Sequence, residues 1–336
     1  MYIIAAIIAF GVLVIVHEFG HFIMAKANGI KVEEFSIGMG PKLFGIKGKE
    51  TEYLIKLLPI GGYVKMLGDE GKSDDDRAFN NKSPLRKLSV VAAGPFMNLV
   101  LSILLFAILA SQRGYLAPIV QKVVPNGPAA VVGIKNGDEI LKVNNKNVST
   151  WEDFVTEVYM SNGSSLDITI SRDNEKKNIK VLPIKDKEEN RFMIGIYPTQ
   201  VTNPTVGQSI KYGFTETGSL VKQTFGFFKT LFTGRISKND VGGPLTIIKV
   251  SGKAAKAGIM SLMAFAAYIS SQLAIFNIIP FPALDGGYIV LFISEIITGK
   301  KIDENKLGVL NYIGFSILMA LMVLVTIKDI VYPINF

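Results

Sequence analysis

The chain has 336 residues, a formal net charge of +8, two histidines and no cysteine, and 49% of its residues are hydrophobic. The absence of cysteine excludes disulfides and thiolate metal sites, and a mean hydropathy of +0.35 indicates long apolar segments rather than soluble domains alone. Lysine and arginine are scattered among the acidic residues, which argues against nucleic acid as a partner and favours charge bias beside membrane segments.

The first predicted membrane helix occupies residues 1–28 and contains an apolar run, residues 3–25, that is interrupted by His17, Glu18 and His21. At about 1.5 Å per residue this run is about 34 Å long, which is enough to cross a bilayer. A removable signal peptide is the alternative, but no basic residue precedes the apolar core, as a signal peptide would require.

Residues 29–87 are predicted to form a loop on the cytoplasmic side. Its segments 35–44 and 53–66 have strand-like apolar content with glycine and proline breaks, and they predict β-hairpins or re-entrant loops that line the entrance of an active site. Ordinary cytoplasmic hairpins remain the alternative. The second predicted membrane helix follows at residues 88–112, with Asn98 as its most polar member.

A compact soluble domain is predicted for residues 113–200, where short strands accompany one helix in an α+β arrangement. Ser149 and Glu152 fit a capping box at the start of that helix. Residues 201–257 mix aromatic residues with lysines and predict an amphipathic segment on the membrane surface, while packing against the other parts of the chain is the alternative.

The third predicted membrane segment, residues 258–298, is broken by Pro280, Pro282 and the glycine pair 286–287, because proline removes backbone donors and glycine lets backbone approach closely. Residues 299–336 are predicted to form a loop and the fourth membrane helix. The predicted fold class is therefore a polytopic α-helical membrane protein with about four transmembrane segments and membrane-associated β-hairpins, plus one α+β soluble domain.

The distribution of lysine and arginine predicts the orientation of the chain. The loops at 29–87 and 299–306 carry several basic residues near the predicted helix ends, so both loops are expected in the cytoplasm and the soluble domain outside it. Lys249, Lys253 and Lys256 conflict with this orientation, because they precede the third segment on its predicted outer side.

His17, Glu18 and His21 form an H-E-x-x-H motif. On a helix, positions i and i+4 share one face, so both imidazoles can bind one metal ion while Glu18 takes a proton from a water that zinc acidifies to a pKa of about 7. These are the only two histidines of the chain, and ionisable side chains inside an apolar segment are costly. Both facts favour a functional site over a buried polar cluster that only holds helices together.

A catalytic zinc needs a third protein ligand and an open position. Since no other histidine and no cysteine exists in the chain, a carboxylate or a weaker donor is expected, and Asp285 at the break of the third segment is the leading candidate. Capping the N-terminus of a half-helix is the alternative role for Asp285. Asn277, which is also polar within an apolar run, could hydrogen-bond a substrate backbone or an oxyanion, or could join two helices.

Three segments together resemble the site-2 protease family of intramembrane metalloproteases, and most closely its RseP-type bacterial branch. They are HEFGH at residues 17–21, GDEILKVNNKNV at 137–148 and NIIPFPALDGG at 277–287, and residues 35–41, 61–64 and 94–98 also match in the expected order. The resemblance covers nearly the entire chain. It implies a zinc endopeptidase that holds one Zn²⁺ ion and cleaves membrane-anchored proteins in regulated intramembrane proteolysis.

The same resemblance implies the residues of the site. They are the zinc ligands His17, His21 and Asp285, the catalytic base Glu18, and the substrate-contacting residues Asn277, Gly61, Gly62 and Tyr63. The implied location is the bacterial inner membrane, which the chain crosses several times, with the active site toward the cytoplasmic side.

Residues 133–141 resemble a PDZ domain, so the soluble domain is expected to be PDZ-like and extracytoplasmic. PDZ domains pair extended peptides with a sheet edge, and in this family they are thought to filter substrates by size. The expected partners are single-span membrane protein substrates, the lipid bilayer and a peptide ligand of the PDZ-like domain. Clipped anti-sigma factors or signal-peptide remnants are the expected substrates.

Two other classes of function remain open on the sequence alone. A metal-ion or proton transporter could use the same ionisable residues as an ion path, although no internal repeat is evident. A membrane-anchored PDZ scaffold without catalytic activity would leave Glu18 without a role.

Overall fold

The computed structural model describes residues 2–69, 71, 73–186, 191–232, 241–300 and 304–333. The chain divides into two compact units, of which one comprises Met1–Leu105 with Thr224–Phe336 and the other comprises Phe106–Gln223. The predicted amphipathic segment 201–257 includes residues 233–240, which lie outside the described residues.

Nine α-helices are present in the described part of the chain. They are α1 Tyr2–Ala27, α2 Pro84–Arg113, α3 Pro128–Val131, α4 Trp151–Met160, α5 Val206–Phe232, α6 Pro244–Lys256, α7 Ile259–Ile278, α8 Asp285–Thr298 and α9 Glu304–Val331. Among the residues that the structure describes, four helical stretches are long and apolar enough to cross a membrane, namely Ala6–Ala27, Pro84–Arg113, Ile259–Ile278 and Leu307–Val331. The predicted fold class of a polytopic helical membrane protein with an α+β soluble domain is confirmed.

Ten strands accompany these helices in the described residues. They are β1 Val32–Lys47, β2 Glu52–Met66, β3 Tyr115–Val123, β4 Glu139–Val143, β5 Lys146–Asn147, β6 Leu166–Arg172, β7 Glu175–Val181, β8 Ile184–Lys185, β9 Phe192–Met193 and β10 Ile196–Val201. The strands fall into a sheet of β1 and β2, a sheet in the order β10-β3-β4-β6-β7 with β5 paired to β4, and a small pair of β8 and β9.

Strands β1 and β2 form an antiparallel hairpin that folds back on itself. In the first part of β1, Phe35 pairs with Val64 on one side and with Tyr53 on the other, while further along β1 Phe44 pairs with Ile55. The predicted strands in this loop are therefore confirmed. Several apolar side chains of the hairpin are exposed, namely Leu43, Phe44, Ile46, Leu57 and Leu58, as expected for a hairpin that meets lipid.

The third apolar segment is divided into α7 and α8, as the prolines and glycines predict. A Cβ atom on Gly286 would lie 2.1 Å from the carbonyl oxygen of Ile279, so only glycine lets the first turn of α8 approach the end of α7. Ala283 in the break has a φ of 70°, and its backbone N–H donates to Oδ1 of Asn311 in α9 at 3.2 Å. This contact holds the break in place, and Asp285 follows it as the first residue of α8.

The soluble domain lies in the second unit and is built around the larger sheet. Its core is formed mainly by inward-facing residues of the strands and by two residues of α4, and it includes Val120, Ile140, Val143, Phe154, Val158, Leu166, Ile168 and Ile170. The predicted capping box on Ser149 and Glu152 is wrong by one residue. Thr150 is the N-cap of α4, and it exchanges hydrogen bonds with Asp153.

The beginning of α5 packs against this domain through polar and aromatic contacts. Tyr212 stacks on Tyr115 with ring centroids 4.6 Å apart, and the amide of Gln223 donates to Oδ1 of Asp153 at 3.3 Å. Glu216 is 5% exposed, and its Oε2 has no hydrogen-bond partner. Burial raises the pKa of Glu216 from its ordinary value of 4.5 to about 8, and the nearby carboxylates of Glu152 and Asp153 add to the rise.

The raised pKa predicts a pH dependence for the packing of α5. Because the folded pKa of Glu216 lies above the ordinary 4.5, its stabilising contribution is complete below pH 4.5 and is lost as the pH rises toward 8. In wild type, we expect the free energy of opening of α5 to fall by about 1.4 kcal/mol per pH unit between pH 4.5 and pH 8. In Glu216→Gln, this fall should be absent. Hydrogen exchange of the full chain, corrected for intrinsic rates, measures the effect. An identical pH dependence in both proteins would contradict it.

Candidate metal centre

Helix α1 carries His17 and His21 one turn apart on the face that meets α2. The two helices approach closely at Gly20, where a Cβ atom would lie 2.3 Å from the carbonyl oxygen of Ala93. Nε2 of His17 lies 3.2 Å from Nε2 of His21. At this distance, the lone pair of at least one Nε2 atom points at the nitrogen of the other ring. A cation bound by both nitrogens stabilises this arrangement.

Gly94 of α2 leaves the space that the imidazoles occupy. A Cβ atom at this position would lie 2.3 Å from Nε2 of His21 and 2.9 Å from Cε1 of His17. Both distances are shorter than van der Waals contact, so any side chain on residue 94 would push the imidazoles aside. Gly94 is therefore needed for the geometry of the site, although it contributes no polar group.

We expect Gly94→Ala to lower the rate of peptide cleavage by about 100-fold, because a displacement of catalytic groups by about 1 Å has effects of this size. The added methyl group would also displace Nε2 of His21 and reduce the zinc content. Gly308→Ala in α9 is the control, because a Cβ atom there meets nothing within 4 Å. Cleavage rate and zinc content are measured on both purified variants. A Gly94→Ala protein with wild-type activity and zinc would contradict the role of this glycine.

Asp285 completes a group of three donor atoms. Its Oδ2 lies 3.2 Å from Nε2 of His17 and 3.5 Å from Nε2 of His21. Zinc binds imidazole and carboxylate tetrahedrally at about 2.0–2.2 Å, which places neighbouring ligand atoms about 3.4 Å apart. The three separations in the protein therefore fit a tetrahedral site with the fourth position open.

The surroundings of Asp285 also fit a cation rather than a helix cap. Oδ2 is buried and accepts no well-formed hydrogen bond, and the N-cap residue of α8 is Leu284, without a side-chain cap. A buried carboxylate oxygen without a hydrogen-bond donor is costly unless a positive charge compensates it. The alternative role of Asp285 as a helix cap is thus not observed.

Each imidazole has a partner at its other ring nitrogen. Nδ1 of His21 lies 2.9 Å from the carbonyl oxygen of Val90, and Nδ1 of His17 lies 3.3 Å from the amide of Asn98. A proton on Nδ1 leaves Nε2 as the unprotonated nitrogen that a metal requires. Both rings therefore present Nε2 toward Asp285 and are held from behind by α2.

Glu18 lies beside the edge of the β1–β2 hairpin. A Cβ atom on Gly62 would lie 3.1 Å from Cγ of Glu18, so this glycine and the glutamate are in direct contact. Gly62 pairs with Ile37 and Tyr63 pairs with Ser36, and within the described residues this part of β2 pairs on one side only. The free edge of the sheet consequently runs past the proposed base.

The remaining predicted site residues lie in the same unit but are not among the hydrogen-bond or ion-pair partners of the three donor atoms. Lys56 donates to the hydroxyl of Tyr63 at 2.7 Å, and this hydroxyl also contacts Glu34. The aromatic ring of Tyr63 lies under the Lys56 ammonium group. Asn277 is half-buried in the last turn of α7, directly before the break. Gly61 is in the left-handed region with a φ of 81°.

Sequence reasoning gave no role in the site to Gly94, Asn98 or Asn311. Asn98 and Asn311 carried a recognisable signal, because a polar side chain within an apolar membrane span is costly and needs a partner. Gly94 carried none by itself, since a glycine in a membrane helix is common.

Comparison with known proteins identifies the family to which this site belongs. The family model described as peptidase family M50 matches residues 5–321, which is nearly the whole chain. The chain belongs to peptidase family M50, the site-2 protease family. The resemblance that the sequence motifs predicted is thereby confirmed.

Relatives of this M50 protein cover almost its full length. A provisionally named zinc metalloprotease of Clostridium acetobutylicum is 52% identical over 334 residues, which are 99% of this chain and 98% of that protein. The regulator of sigma-W protease RasP of Bacillus subtilis is 31% identical and aligns with 98% of each chain. The zinc metalloprotease RasP of Geobacillus kaustophilus is 30% identical and aligns with 98% of this chain and 97% of its own.

One solved structure aligns with the soluble domain only. The PDZ domain of the SdrC-like protein from Listeria monocytogenes covers 25% of this chain and 90% of that domain, with 19% sequence identity and a TM-score of 0.23. The full-length M50 relatives show that the chain is a multi-pass membrane zinc metalloprotease, which excludes the transporter and the inactive scaffold as its principal function.

Proposed function

We propose that His17, His21 and Asp285 bind one zinc ion and that Glu18 is the base of an endopeptidase that cleaves membrane-anchored proteins at or within the bilayer. The observation that carries the proposal is the convergence of three donor atoms from α1 and α8 at separations of 3.2 to 3.5 Å. Asp285 lies more than 260 positions from both histidines in the chain, and their meeting in an apolar environment is costly without a cation.

The zinc ligands and Glu18 have different roles in hydrolysis. When bound, zinc supplies a Lewis acid that polarises the scissile carbonyl and makes a water molecule acidic near neutral pH. Glu18 follows His17 directly and so lies beside the three donor atoms without belonging to them. It accepts the proton of the attacking water and later donates it to the leaving amine.

The edge of the β1–β2 hairpin is the proposed binding site for the substrate backbone. A helical substrate hides its carbonyl groups in internal hydrogen bonds, so the segment to be cut must be extended. Gly61, Gly62 and Tyr63 lie on the side of the hairpin that pairs with β1 on one side only, and an extended peptide can add to such an edge as a further strand. Gly62 also has no side chain that would keep the peptide away from the glutamate.

Asn277 and the break after α7 are proposed to contact the other side of the substrate. Asn277 lies in the last turn of α7, where its amide can hydrogen-bond an extended backbone. The break that follows Asn277 ends at Asp285, and a substrate that runs along the break would reach the three donor atoms. These roles are supported by position in the chain and by the half-buried state of Asn277.

The orientation proposed from the charges places the active site toward the cytoplasmic side and the PDZ-like domain outside. His17 and His21 lie in the second half of α1, at the end that leads into the β1–β2 hairpin and its basic residues. The PDZ-like domain is proposed to filter substrates by size or to bind an extended peptide. By analogy with the regulator of sigma-W protease of Bacillus subtilis, the proposed substrates are single-span proteins such as trimmed anti-sigma factors, or signal-peptide remnants.

Cleavage in liposomes tests this function. Purified protein is reconstituted with single-span substrates that carry either a folded outer domain or a short outer stub, and the products are identified by mass spectrometry. We expect cuts within or next to the spanning segment of the stub substrate and much slower cleavage of the other. Equal cleavage of both would remove the size filter. Cleavage of soluble unfolded proteins alone would contradict the membrane-anchored substrate class.

A further inference from the structure

Asn98 is buried against the zinc-binding group on the side away from Asp285. It lies in α2 and is 0% exposed, and its Nδ2 is placed 3.3 Å from Nδ1 of His17. We propose that Asn98 is a positioning residue, whose Oδ1 accepts a hydrogen bond from Nδ1–H of His17 and so keeps Nε2 of His17 free to bind the metal. The inference rests on the proposed function, because it requires that His17 is a zinc ligand.

The protonation of the imidazole determines which amide atom must face it. A neutral imidazole that binds zinc through Nε2 carries its proton on Nδ1, so that Nδ1 is a hydrogen-bond donor. An amide N–H2 group opposite this donor would be repelled, whereas an amide oxygen would accept. A half-turn about the Cβ–Cγ bond of Asn98 exchanges Nδ2 and Oδ1 with almost no change of shape.

The present surroundings of the amide oxygen favour this exchange. Oδ1 of Asn98 is buried without any hydrogen-bond partner, although buried amide oxygens nearly always have one. The one strong donor that the zinc-bound ring would offer in its vicinity is Nδ1–H of His17. A half-turn of the Asn98 amide would therefore give Oδ1 a hydrogen-bond donor and would remove the unfavourable contact between Nδ2 and Nδ1–H of His17.

The position of Asn98 is fixed by a second helix. Its backbone carbonyl oxygen accepts a hydrogen bond from the hydroxyl of Ser270 in α7 at 2.8 Å, and both residues are fully buried. The carbonyl of Asn98 is therefore tied to α7 while its side chain reaches α1. A side chain held in this way can restrain the ring of His17 to one orientation and one tautomer.

The two ligands differ in the kind of partner that holds them. His21 is held by the backbone carbonyl of Val90 at 2.9 Å, which no substitution removes. His17 depends on a side chain, so substitutions at Asn98 can isolate this restraint. The loss of such an outer partner typically weakens metal binding by about 10- to 100-fold.

The test measures zinc affinity by chelator competition for the full chain in detergent, in wild type, Asn98→Leu and Asn98→Asp. Leucine keeps the approximate shape and removes the acceptor, so we expect its affinity to fall by about 10- to 100-fold. Aspartate presents an acceptor in either orientation, so we expect an affinity within about threefold of wild type or tighter, as in carboxylate–histidine–zinc arrangements. Equal losses in both variants, or none in Asn98→Leu, would overturn the proposal.

A second measurement does not depend on cleavage activity, and it separates a local change at one ring from misfolding, which would change both. Because the chain contains only two histidines, ¹⁵N-histidine labelling gives signals from two rings only. In zinc-loaded wild type both rings should show a hydrogen-bonded Nδ1–H, and in Asn98→Leu one of the two proton signals should move upfield while the other stays. Two unchanged signals would refute the role of Asn98. A wild-type protein whose rings do not respond to zinc would refute the proposed function instead.

Discussion

A Glu18→Gln variant is expected to retain one zinc ion per chain and to cleave its substrates about 10²–10⁴-fold more slowly than wild type, which is the usual contribution of a general acid–base group. Glutamine has nearly the same shape as glutamate, so the contact with Gly62 and the packing of α1 remain. It cannot accept the proton of the attacking water. Single-turnover cleavage of a reconstituted single-span substrate, with zinc content determined on the same sample, measures both quantities.

The matched control for this prediction is Glu50→Gln. Glu50 lies between β1 and β2 and forms an exposed ion pair with Lys26 at 3.0 Å, so the substitution removes a carboxylate of the same unit without touching the site. We expect its activity to be that of wild type. If Glu18→Gln cleaved as fast as Glu50→Gln, Glu18 would not be the base.

Removing the carboxylate of Asp285 should primarily weaken the binding of zinc, and the loss of cleavage should follow from the loss of zinc. We expect Asp285→Ala to weaken zinc binding by more than about 100-fold, beyond the 10- to 100-fold loss that is typical of partners outside the ligand shell. Only the two imidazoles would remain, and Nε2 of His17 and His21 would lie 3.2 Å apart without the third donor. Chelator competition and cobalt absorption spectra measure the loss.

The control for this substitution is Asp75→Ala, which removes a surface aspartate that pairs with Arg77 at 3.1 Å. Its zinc affinity should equal that of wild type. Full zinc affinity in Asp285→Ala would remove Asp285 from the ligand set and leave the three-donor geometry without a function.

The sequence predicted the parts of this site that depend on spacing within one element. The i, i+4 spacing of His17 and His21 places both rings on one face of any helix. The prolines and glycines after Asn277 predict a break in any membrane span, and a carboxylate at that break needs a cation. The donor set could therefore be predicted without knowledge of the tertiary structure, apart from the meeting of Asp285 with the histidines.

Contacts between elements could not be predicted in this way. Gly94 and Asn98 approach the imidazoles because α1 and α2 cross at Gly20, where a Cβ atom would lie 2.3 Å from the backbone of Ala93. The crossing angle and the rotation of the two helices depend on the packing of many side chains. The pattern of apolar residues alone does not specify which polar residue of α2 faces His17.

The β1–β2 hairpin illustrates the same limit for strands. Its apolar content predicted strands, but its fold-back depends on particular bends, such as Gly38 with a φ of 84° and a Cβ position 2.4 Å from the carbonyl oxygen of Leu58. The capping box of α4 was displaced by one residue, since Ser149 and Thr150 both precede an acidic residue by three positions. Backbone geometry selected Thr150 and Asp153.

The most direct test is zinc K-edge X-ray absorption on wild-type protein purified without a histidine tag. Because the chain has two histidines and no cysteine, two imidazoles and oxygen atoms at about 2.0–2.2 Å, with one zinc per chain, would identify His17 and His21 as ligands beside a carboxylate. We predict this result. A zinc ion bound by oxygen atoms alone, or zinc well below one per chain after loading, would contradict the convergence of α1 and α8 on a single metal ion.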